Sequence, residues 1–205
     1  MLVVVLTGGI GSGKSAAAEY FSGRGALIID LDDVATLAMS QGSPLLASVA
    51  GEFGTHILGA DGSLDRGALA LACFGDCDAT RRLDEMVHPA VARRTAAILA
   101  ETRQLTVPPS VVIVEVPLLV EAPDFAQLAD LVVAITASEA TRVDRAVARG
   151  MERCDVLRRA LVQAPDSARI VLADVVIEND GSLEEFVVAL ERLWDERLDV
   201  GVRRG

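Results

Sequence analysis

Residues 2–15, LVVVLTGGIGSGKS, decide the fold of this chain. Leu2 to Leu6 is a run of large aliphatic residues that predicts a buried strand, and Ser15 to Phe21 predicts a helix that ends near Gly23. Between them, Gly8 to Ser15 fits the pattern G-x-x-x-x-G-K-[ST] of a P-loop. A strand, a glycine-rich turn and a helix in this order form the context that a phosphate-binding loop requires.

The composition of the loop indicates how it would hold phosphate. Glycines let successive backbone N–H groups turn inward, and the following helix points its positive dipole end at the same place. Lys14 is the only lysine among nineteen basic residues, and its compact ammonium group can reach outer phosphates. Ser15 supplies a hydroxyl for Mg²⁺. The predicted phosphate-binding residues are Gly8, Gly9, Gly11, Ser12, Gly13, Lys14 and Ser15.

Length and charge narrow the classes of partner. One globular unit is expected from 205 residues, with room for an inserted subdomain. The net charge of −11 disfavours nucleic-acid and anionic-membrane partners, because both require a basic surface. The N-terminal apolar run stops at Thr7, which favours a strand over a signal peptide, and no run approaches a membrane span. We therefore expect small-molecule partners and a monomer, with a small homo-oligomer as the alternative.

The three cysteines indicate a reducing compartment. Cys73, Cys77 and Cys154 are odd in number and lack C-x-x-C spacing, so we expect reduced thiols in a cytoplasmic protein. Cys73 and Cys77 could bind a metal with His56 or His88, but we favour buried thiols at these two positions.

Further apolar segments predict an α/β fold with a five-stranded parallel sheet. The four remaining strands are expected at Leu27 to Ile29, Val111 to Val116, Leu131 to Ile135 and Val175 to Ile177. About eighty residues separate the second strand from the third, far more than a simple crossover needs, so a helical insertion is predicted there. Its last helix is expected to start at His88-Pro89 and run towards Thr102. A capping box at Ser182 to Glu185 predicts the C-terminal helix, with Leu183 and Trp194 among its core-facing residues.

Acidic residues follow two of the predicted strands. If the chain stays extended after Ile29, Asp30 and Asp32 point to one side, beyond the carboxyl end of the strand where ligands bind in such sheets. A carboxylate there could orient a hydroxyl, accept its proton or bind Mg²⁺ through water. The alternative is that these acids open the next helix. Glu115 could assist the metal, and Glu121 could equally be a solvated turn residue.

Arginines are densest after the fourth strand. Arg142, Arg145, Arg149 and Arg153 are spaced to form one helical stripe, with Arg158 and Arg159 beyond it. Such runs are commonly solvated faces paired with acids such as Glu139 or Asp155. Because the rest of the chain is acidic, we favour a mobile helical lid that brings cations to a migrating phosphate.

Taken in order, these motifs resemble the dephospho-CoA kinase family. The likeness runs from Leu6 to Gly181 and includes the P-loop, Asp30 and Asp32, and His88-Pro89. The other matching segments are Gly62 to Arg66 with Leu69 and Phe74, Pro117 to Glu121, Arg145 with Arg149, Arg159 with Gln163, Ala173-Asp174, and Ile177 to Gly181. Their order and spacing are specific, although each short piece is weak.

The resemblance implies a P-loop kinase-like three-layer fold and transfer of the ATP γ-phosphate to the ribose 3′-hydroxyl of dephospho-CoA. It implies Asp32 as the base and a core of residues 1–33 and 104–205. It also implies a CoA-binding insertion over about 34–103 and a lid over about 142–165. The implied catalytic residues are Asp32, Lys14, Arg145 and Arg149. The implied ATP contacts beyond the P-loop are Ala16, Arg142 and Asn179. The implied substrate contacts are Asp30, Asp32, Arg66, His88, Pro117, Leu118 and Gln163.

Two positions depart from the pattern of that family. Ala16 stands where Thr or Ser is common, and it is expected to contact phosphate through its backbone N–H. Gly150 stands where an acidic residue is frequent, and it is expected to loosen the lid.

Two other functional classes fit part of the pattern. Another small-molecule P-loop kinase, acting on a nucleoside monophosphate, shikimate or gluconate, would share the loop and the lid. A nucleotide-sensing switch of the GTPase kind would need an N-K-x-D motif, which is excluded because Lys14 is the only lysine.

Overall fold

A computed structural model of the chain describes residues 1–73 and 76–199, without the side chains of residues 159, 161 and 162. The five predicted strands are confirmed, and they form one parallel sheet in the order β2-β3-β1-β4-β5. The strands are β1 (Leu2–Gly8), β2 (Leu27–Asp30), β3 (Val111–Glu115), β4 (Leu131–Thr136) and β5 (Val175–Glu178). Runs of Val, Ile and Leu form these strands because their branched side chains pack well on a pleated surface.

Both faces of the sheet are covered, which makes the fold three-layered. Val4 and Ile113 face a core that α1 and the C-terminal helix share, while Val3 and Val112, on the opposite face, are also fully buried. Parallel sheets covered on both faces read as continuous apolar runs, as β1 and β3 do. Trp194 belongs to this core, as predicted, with its ring stacked 6.0 Å from that of Phe21.

Among the described residues, one α-helix follows β1, four follow β2, three follow β4 and one follows β5. They are α1 (Lys14–Gly23), α2 (Leu31–Ala38), α3 (Pro44–Phe53), α4 (Arg66–Cys73), α5 (Cys77–Arg103), α6 (Glu139–Ala148), α7 (Arg153–Val162), α8 (Asp166–Leu172) and α9 (Leu183–Leu193). The predicted capping box opens α9, since the Ser182 side chain accepts from the Glu185 N–H and the Glu185 side chain accepts from the Ser182 N–H. Leu183 is an exception to the predicted core face, because 67% of it is exposed.

The chain divides into two compact units. The sheet unit contains Met1–Asp30 and the described residues from Thr102 onward, and the helical unit contains Leu31–Glu101. The helical unit has its own small core, in which Val49, Ile57 and Leu69 are buried.

The prediction that a helix starts at His88-Pro89 is wrong. Helix α5 runs without interruption from Cys77 to Arg103, and Pro89 lies inside it. A proline within a helix loses the hydrogen bond of its own nitrogen, here the one to the carbonyl of Glu85, and its ring crowds that carbonyl. Buried residues on both sides of the proline, Ala79 and Val91 among them, continue the packed face and offset that loss.

The cysteines are free, as predicted, but two of them are not buried. Cys77 is exposed, so the prediction of a buried thiol is wrong there, while Cys73 is half-buried. Cys154 is also exposed. Partial burial, then the charge of Asp84, raises the pKa of the Cys73 thiol. Within residues 1–73 and 76–199, no three His, Cys, Asp or Glu side chains are grouped to hold a metal. In the same residues, no helix is long and apolar enough to cross a membrane.

Candidate active site

The P-loop joins the central strand β1 to α1 at the carboxyl edge of the sheet. Gly11 and Gly13 adopt φ angles of 75° and 105°, which side-chain-bearing residues rarely adopt. The Ser12 N–H donates to the Gly9 carbonyl oxygen at 3.1 Å and closes the turn. The first N–H groups of α1 therefore follow directly on a curved loop, which is the arrangement that binds phosphate.

Lys14 forms an ion pair with Glu115, the last residue of β3. The two side chains are 14% and 9% exposed, so the pair is shielded from water. Glu115 is also the register partner of Asp30 on the neighbouring strand, which places two carboxylate residues at adjacent strand ends. The predicted phosphate-binding cation is thus held by a carboxylate at the edge of the sheet where ligands bind in α/β folds.

The aspartates after β2 do not lie on an extended segment. The strand ends at Asp30, and α2 begins at Leu31, so Asp32 and Asp33 stand in the first turn of that helix. The extended interpretation is wrong, and the alternative that these acids open a helix is confirmed. Carboxylates are favoured there because they interact with the positive end of the helix dipole. Asp30 consequently belongs to the sheet unit, and Asp32 to the helical unit.

The four arginines predicted to form one helical stripe lie on two helices. Helix α6 ends at Ala148, and Arg149 is its capping residue, while Arg153 begins α7. Gly150 causes the break, since it adopts a φ of 92° and donates its N–H to the Val147 carbonyl. The next N–H returns to the Ala146 carbonyl, which completes a Schellman motif, and this motif favours glycine at that position.

Arg145 contacts Asn179. Its Nη1 donates to the Asn179 carbonyl oxygen at 2.6 Å, and its Nη2 donates to Asn179 Oδ1 at 3.3 Å. Asn179 in turn donates from Nδ2 to the carbonyl oxygen of Ser12 at 2.8 Å, inside the P-loop. A β-carbon on Gly13 would lie 2.2 Å from that Nδ2 atom, so this contact requires glycine at position 13. Asn179, predicted to lie near adenine, supports the P-loop in this structure.

Asp180 fixes the start of α6. Its carboxylate accepts hydrogen bonds from the Ser138 N–H and, at 2.7 Å, from the Thr141 hydroxyl. These hydrogen bonds, with Ser138 contributing most, hold the pKa of Asp180 below its ordinary value. Asp180 thereby holds the start of helix α6, which carries Arg142 and Arg145, next to Asn179.

The lowered pKa of Asp180 predicts a pH-dependent contribution to stability. Because the folded pKa is below the unfolded one, the stabilisation is present above the ordinary value of 3.8 and is lost as the pH falls through the folded pKa. We expect Asp180→Asn to lower the Tm at pH 7 and to approach the wild type below pH 3.8. Thermal melts of both proteins across pH 3 to 8 measure this difference. A gap in Tm that widens on acidification would contradict the assignment.

The segment after α7 is bound to the P-loop and to the turn after β3. Gln163 Oε1 accepts from the Ile10 N–H at 3.0 Å, and Glu121 Oε1 accepts from the Ala164 N–H at 2.9 Å. Glu121 is thus a tether and not only a solvated turn residue. Pro117 and Leu118 form the turn between β3 and Glu121, and 42% of Leu118 is exposed.

Besides Asp32, two predicted substrate residues lie in the helical unit. Arg66, at the start of α4, donates from Nη2 to the hydroxyl of Thr36 in α2. It lines an apolar cavity of about 240 Å³ with Leu64, Leu69 and other residues of the same unit. His88 lies within α5, with Nε2 3.7 Å from Asp84 Oδ1. The roles of both residues toward a substrate stay predictions.

Arg169, which no sequence motif singled out, has a fully buried side chain close to the P-loop. Asp166, three residues before Arg169, suggests an ordinary ion pair on a helix surface. No local pattern distinguishes a buried arginine from such a pair.

The donor set at this edge suits Mg²⁺ in complex with phosphate. Ser15 presents an exposed hydroxyl in the first turn of α1, and Asp30 and Glu115 provide carboxylates at neighbouring strand ends. Mg²⁺ in phosphoryl-transfer sites is typically held by one or two protein oxygens together with substrate phosphates. These few protein oxygen donors fit Mg²⁺, because substrate phosphates and water would supply its other ligands.

The parallel sheet, the P-loop after its central strand and the acidic strand ends define a P-loop kinase fold. Comparisons with known proteins identify the family. A sequence profile described as dephospho-CoA kinase matches residues 2–185. This chain belongs to the dephospho-CoA kinase family.

Individual relatives agree with this assignment. The dephospho-CoA kinase of Frankia casuarinae is 41% identical over 198 residues, which cover 97% of this chain and 84% of that protein. The dephospho-CoA kinase of Thermobifida fusca is 39% identical, with 96% of each chain covered. The crystal structure of TT1252 from Thermus thermophilus matches this structure with a TM-score of 0.75. The two chains are 34% identical, and the match covers 96% of this chain and 97% of that one. Dephospho-CoA kinase from Campylobacter jejuni shares the fold, with a TM-score of 0.69 at 20% identity over 97% and 98% of the two chains.

Proposed function

We propose that this chain transfers the γ-phosphoryl group of ATP to the ribose 3′-hydroxyl of dephospho-CoA. The products are CoA and ADP, so the reaction is the last step of CoA biosynthesis. The single observation that carries the proposal is the P-loop with Lys14 paired to Glu115, in a chain whose family profile covers residues 2–185. The rival small-molecule kinases share the loop, but they are not the family to which this chain belongs.

The P-loop and its lysine bind the phosphates of ATP. Backbone N–H groups of the loop and of the start of α1 meet the phosphate oxygens, and Lys14 exchanges Glu115 for the outer phosphates. This exchange keeps the lysine charge compensated both before and after ATP binds. Arg142, Arg145 and Arg149 add positive charge from α6 and its C-cap.

Asp32 is the proposed general base. It accepts the proton of the acceptor hydroxyl as the oxygen forms a bond to the γ-phosphorus and the bond to the bridging oxygen of ADP breaks. Arg66, His88 and the other residues of Leu31–Glu101 form the proposed substrate-binding unit. Mg²⁺, held by Ser15 and the phosphates, would neutralise charge on the transferred group. From the free thiols we also infer a cytoplasmic location. The protein is proposed to be a monomer.

An acceptor comparison tests this function. ADP release is measured with Mg-ATP and dephospho-CoA, and separately with a nucleoside monophosphate, shikimate or gluconate as the acceptor. We expect turnover on dephospho-CoA and little on the other acceptors, with the product phosphorylated at the 3′ position. Turnover on another acceptor without turnover on dephospho-CoA would contradict the proposal and favour the rival class.

A further inference from the structure

The side chain of Arg169 has more donors than partners. It lies in α8 and is 0% exposed. Its Nη1 donates to the Ala164 carbonyl oxygen at 2.6 Å and to Asp166 Oδ1 at 2.9 Å. Among the residues that the structure describes, Nε and Nη2 have no hydrogen-bond partner. A buried guanidinium with unmet donors is costly, because water no longer solvates its charge.

Arg169 approaches the first turn of the P-loop together with Arg142. A β-carbon placed on Gly9 would lie 2.3 Å from Nη1 of Arg142 and 3.5 Å from Nη1 of Arg169. Adding the two distances, the two Nη1 atoms are at most about 6 Å apart. Nε of Arg142 is likewise buried and without a partner in the described part of the chain. Two guanidinium groups therefore converge on one glycine of the loop.

The contacts that the structure shows do not balance the positive charges of Arg142 and Arg169 near Gly9. Among the residues that the structure describes, Arg169 has one ion-pair partner, Asp166, and this contact uses Nη1. Like charges at this separation repel each other, more strongly where water is excluded. An anion between the two guanidinium groups would relieve the repulsion and satisfy the remaining N–H donors. Planar guanidinium groups suit phosphate oxygens because they can donate two parallel hydrogen bonds.

We propose that Arg169 is a catalytic residue that, together with Arg142, binds the terminal phosphate of ATP. The proposal rests on the proposed function for the identity of the nucleotide. Inner phosphates are expected at the backbone N–H groups of the N-terminus of α1, while the Lys14 side chain extends towards the outer phosphates. Gly9 lies at the opposite end of the loop, one turn before that helix, so the arginines near Gly9 meet the outermost phosphate. The same contacts stabilise the charge on this group during its transfer.

A purely structural role is the competing explanation. By binding Ala164 and Asp166, Arg169 could serve only to hold the segment that begins at Gln163, whose side chain contacts the Ile10 N–H. Loss of such support would disturb the whole loop and weaken ATP and ADP binding alike. Loss of a direct contact to the terminal phosphate would weaken ATP binding alone.

The test compares ATP with ADP binding to Arg169→Met, a variant of similar length without charge. The matched control is Arg192→Met, at an exposed arginine of α9 paired to Glu196. Dissociation constants for ADP and for a non-hydrolysable ATP analogue are measured by calorimetric titration. We expect the analogue to bind Arg169→Met about 10- to 100-fold more weakly than wild type, the loss of a charged hydrogen bond, with ADP within about threefold. Equal weakening of both nucleotides, or no weakening, would overturn the proposal.

Two other causes of a negative result, misfolding of the variant and a wrong proposed function, can be told apart from a failure of this proposal. If Arg169→Met does not fold, as judged by circular dichroism, Arg169→Lys is measured by the same ratio of ATP-analogue to ADP affinity. Lysine keeps the charge but replaces the planar fork with a single ammonium, so the ratio is expected to fall by a smaller factor than for Met. An unchanged ratio in a folded lysine variant would count against the proposal. Failure of wild type to phosphorylate dephospho-CoA would contradict the proposed function without affecting this ratio.

Discussion

Replacing Lys14 by alanine is expected to lower kcat/KM for phosphoryl transfer by roughly 10²- to 10³-fold. This is the range seen when one group that stabilises transition-state charge is removed. Lys14 is the only lysine of the chain, so no neighbouring ammonium group can replace it. Steady-state rates of ADP release, measured with dephospho-CoA as the acceptor, check the prediction. A kcat/KM close to that of wild type would remove Lys14 from the transfer step.

A control for Lys14→Ala is needed because the substitution leaves Glu115 without its ion-pair partner. The pair is largely shielded from water, so an unpaired Glu115 is expected to cost on the order of 3 kcal/mol of stability. The double variant with Glu115→Gln removes that charge while the lysine remains absent. Recovered thermal stability with persistently low turnover would separate the catalytic role of Lys14 from its structural one.

Asp32→Asn is expected to lower kcat by roughly 10²- to 10⁴-fold and to leave ATP binding nearly intact. The reason is that an amide cannot accept the proton of the acceptor hydroxyl, a contribution of this size in general base catalysis. Single-turnover rates and ATP titrations measure the two effects separately. Turnover near that of wild type would remove Asp32 from the base role.

The adjacent Asp33 provides a matched control. Asp32 and Asp33 both stand in the first turn of α2, where a carboxylate contributes roughly 0.3 to 1 kcal/mol through the helix dipole. Asp33→Asn therefore removes the same charge from the same turn. We expect similar small losses of Tm in both variants and a large loss of kcat only in Asp32→Asn. Equal losses of kcat would assign the effect to the helix and not to the base.

The strands and the P-loop could be predicted from sequence because their signals are local. A run such as LVVVL or VVIV is apolar at every position, which is typical of a strand covered on both faces. The loop pattern prescribes its own geometry, since left-handed φ angles at Gly11 and Gly13 require glycine.

The incorrect predictions concern helix boundaries, where packing or a single glycine overrode the spacing rule. Pro89 would normally mark a helix start, but buried residues on both sides of it keep α5 continuous. The spacing of Arg142 to Arg153 fits one helix, but Gly150 provides the left-handed residue that ends it.

Long-range contacts were beyond any sequence pattern. Lys14 and Glu115 are 101 positions apart, and Asn179 reaches Ser12 across 167 positions. The burial of Arg169 depends on the packing of α8 near β1 and β4, which no spacing rule encodes. The sequence thus indicated Asn179 and Gln163 as site residues, but not the contacts that they make with the P-loop.

The hydrogen bonds of Arg145 and Gln163 have a consequence for how the predicted lid could move. Arg145 is anchored to Asn179 near one end of the segment, and Gln163 is anchored to Ile10 at the other. A swinging arm has one free end, whereas this segment is a bridge with both ends attached to the nucleotide-binding core. Any displacement on ATP binding is therefore expected to be a bending of residues 149–162, and the two attached ends would transmit it directly to the P-loop.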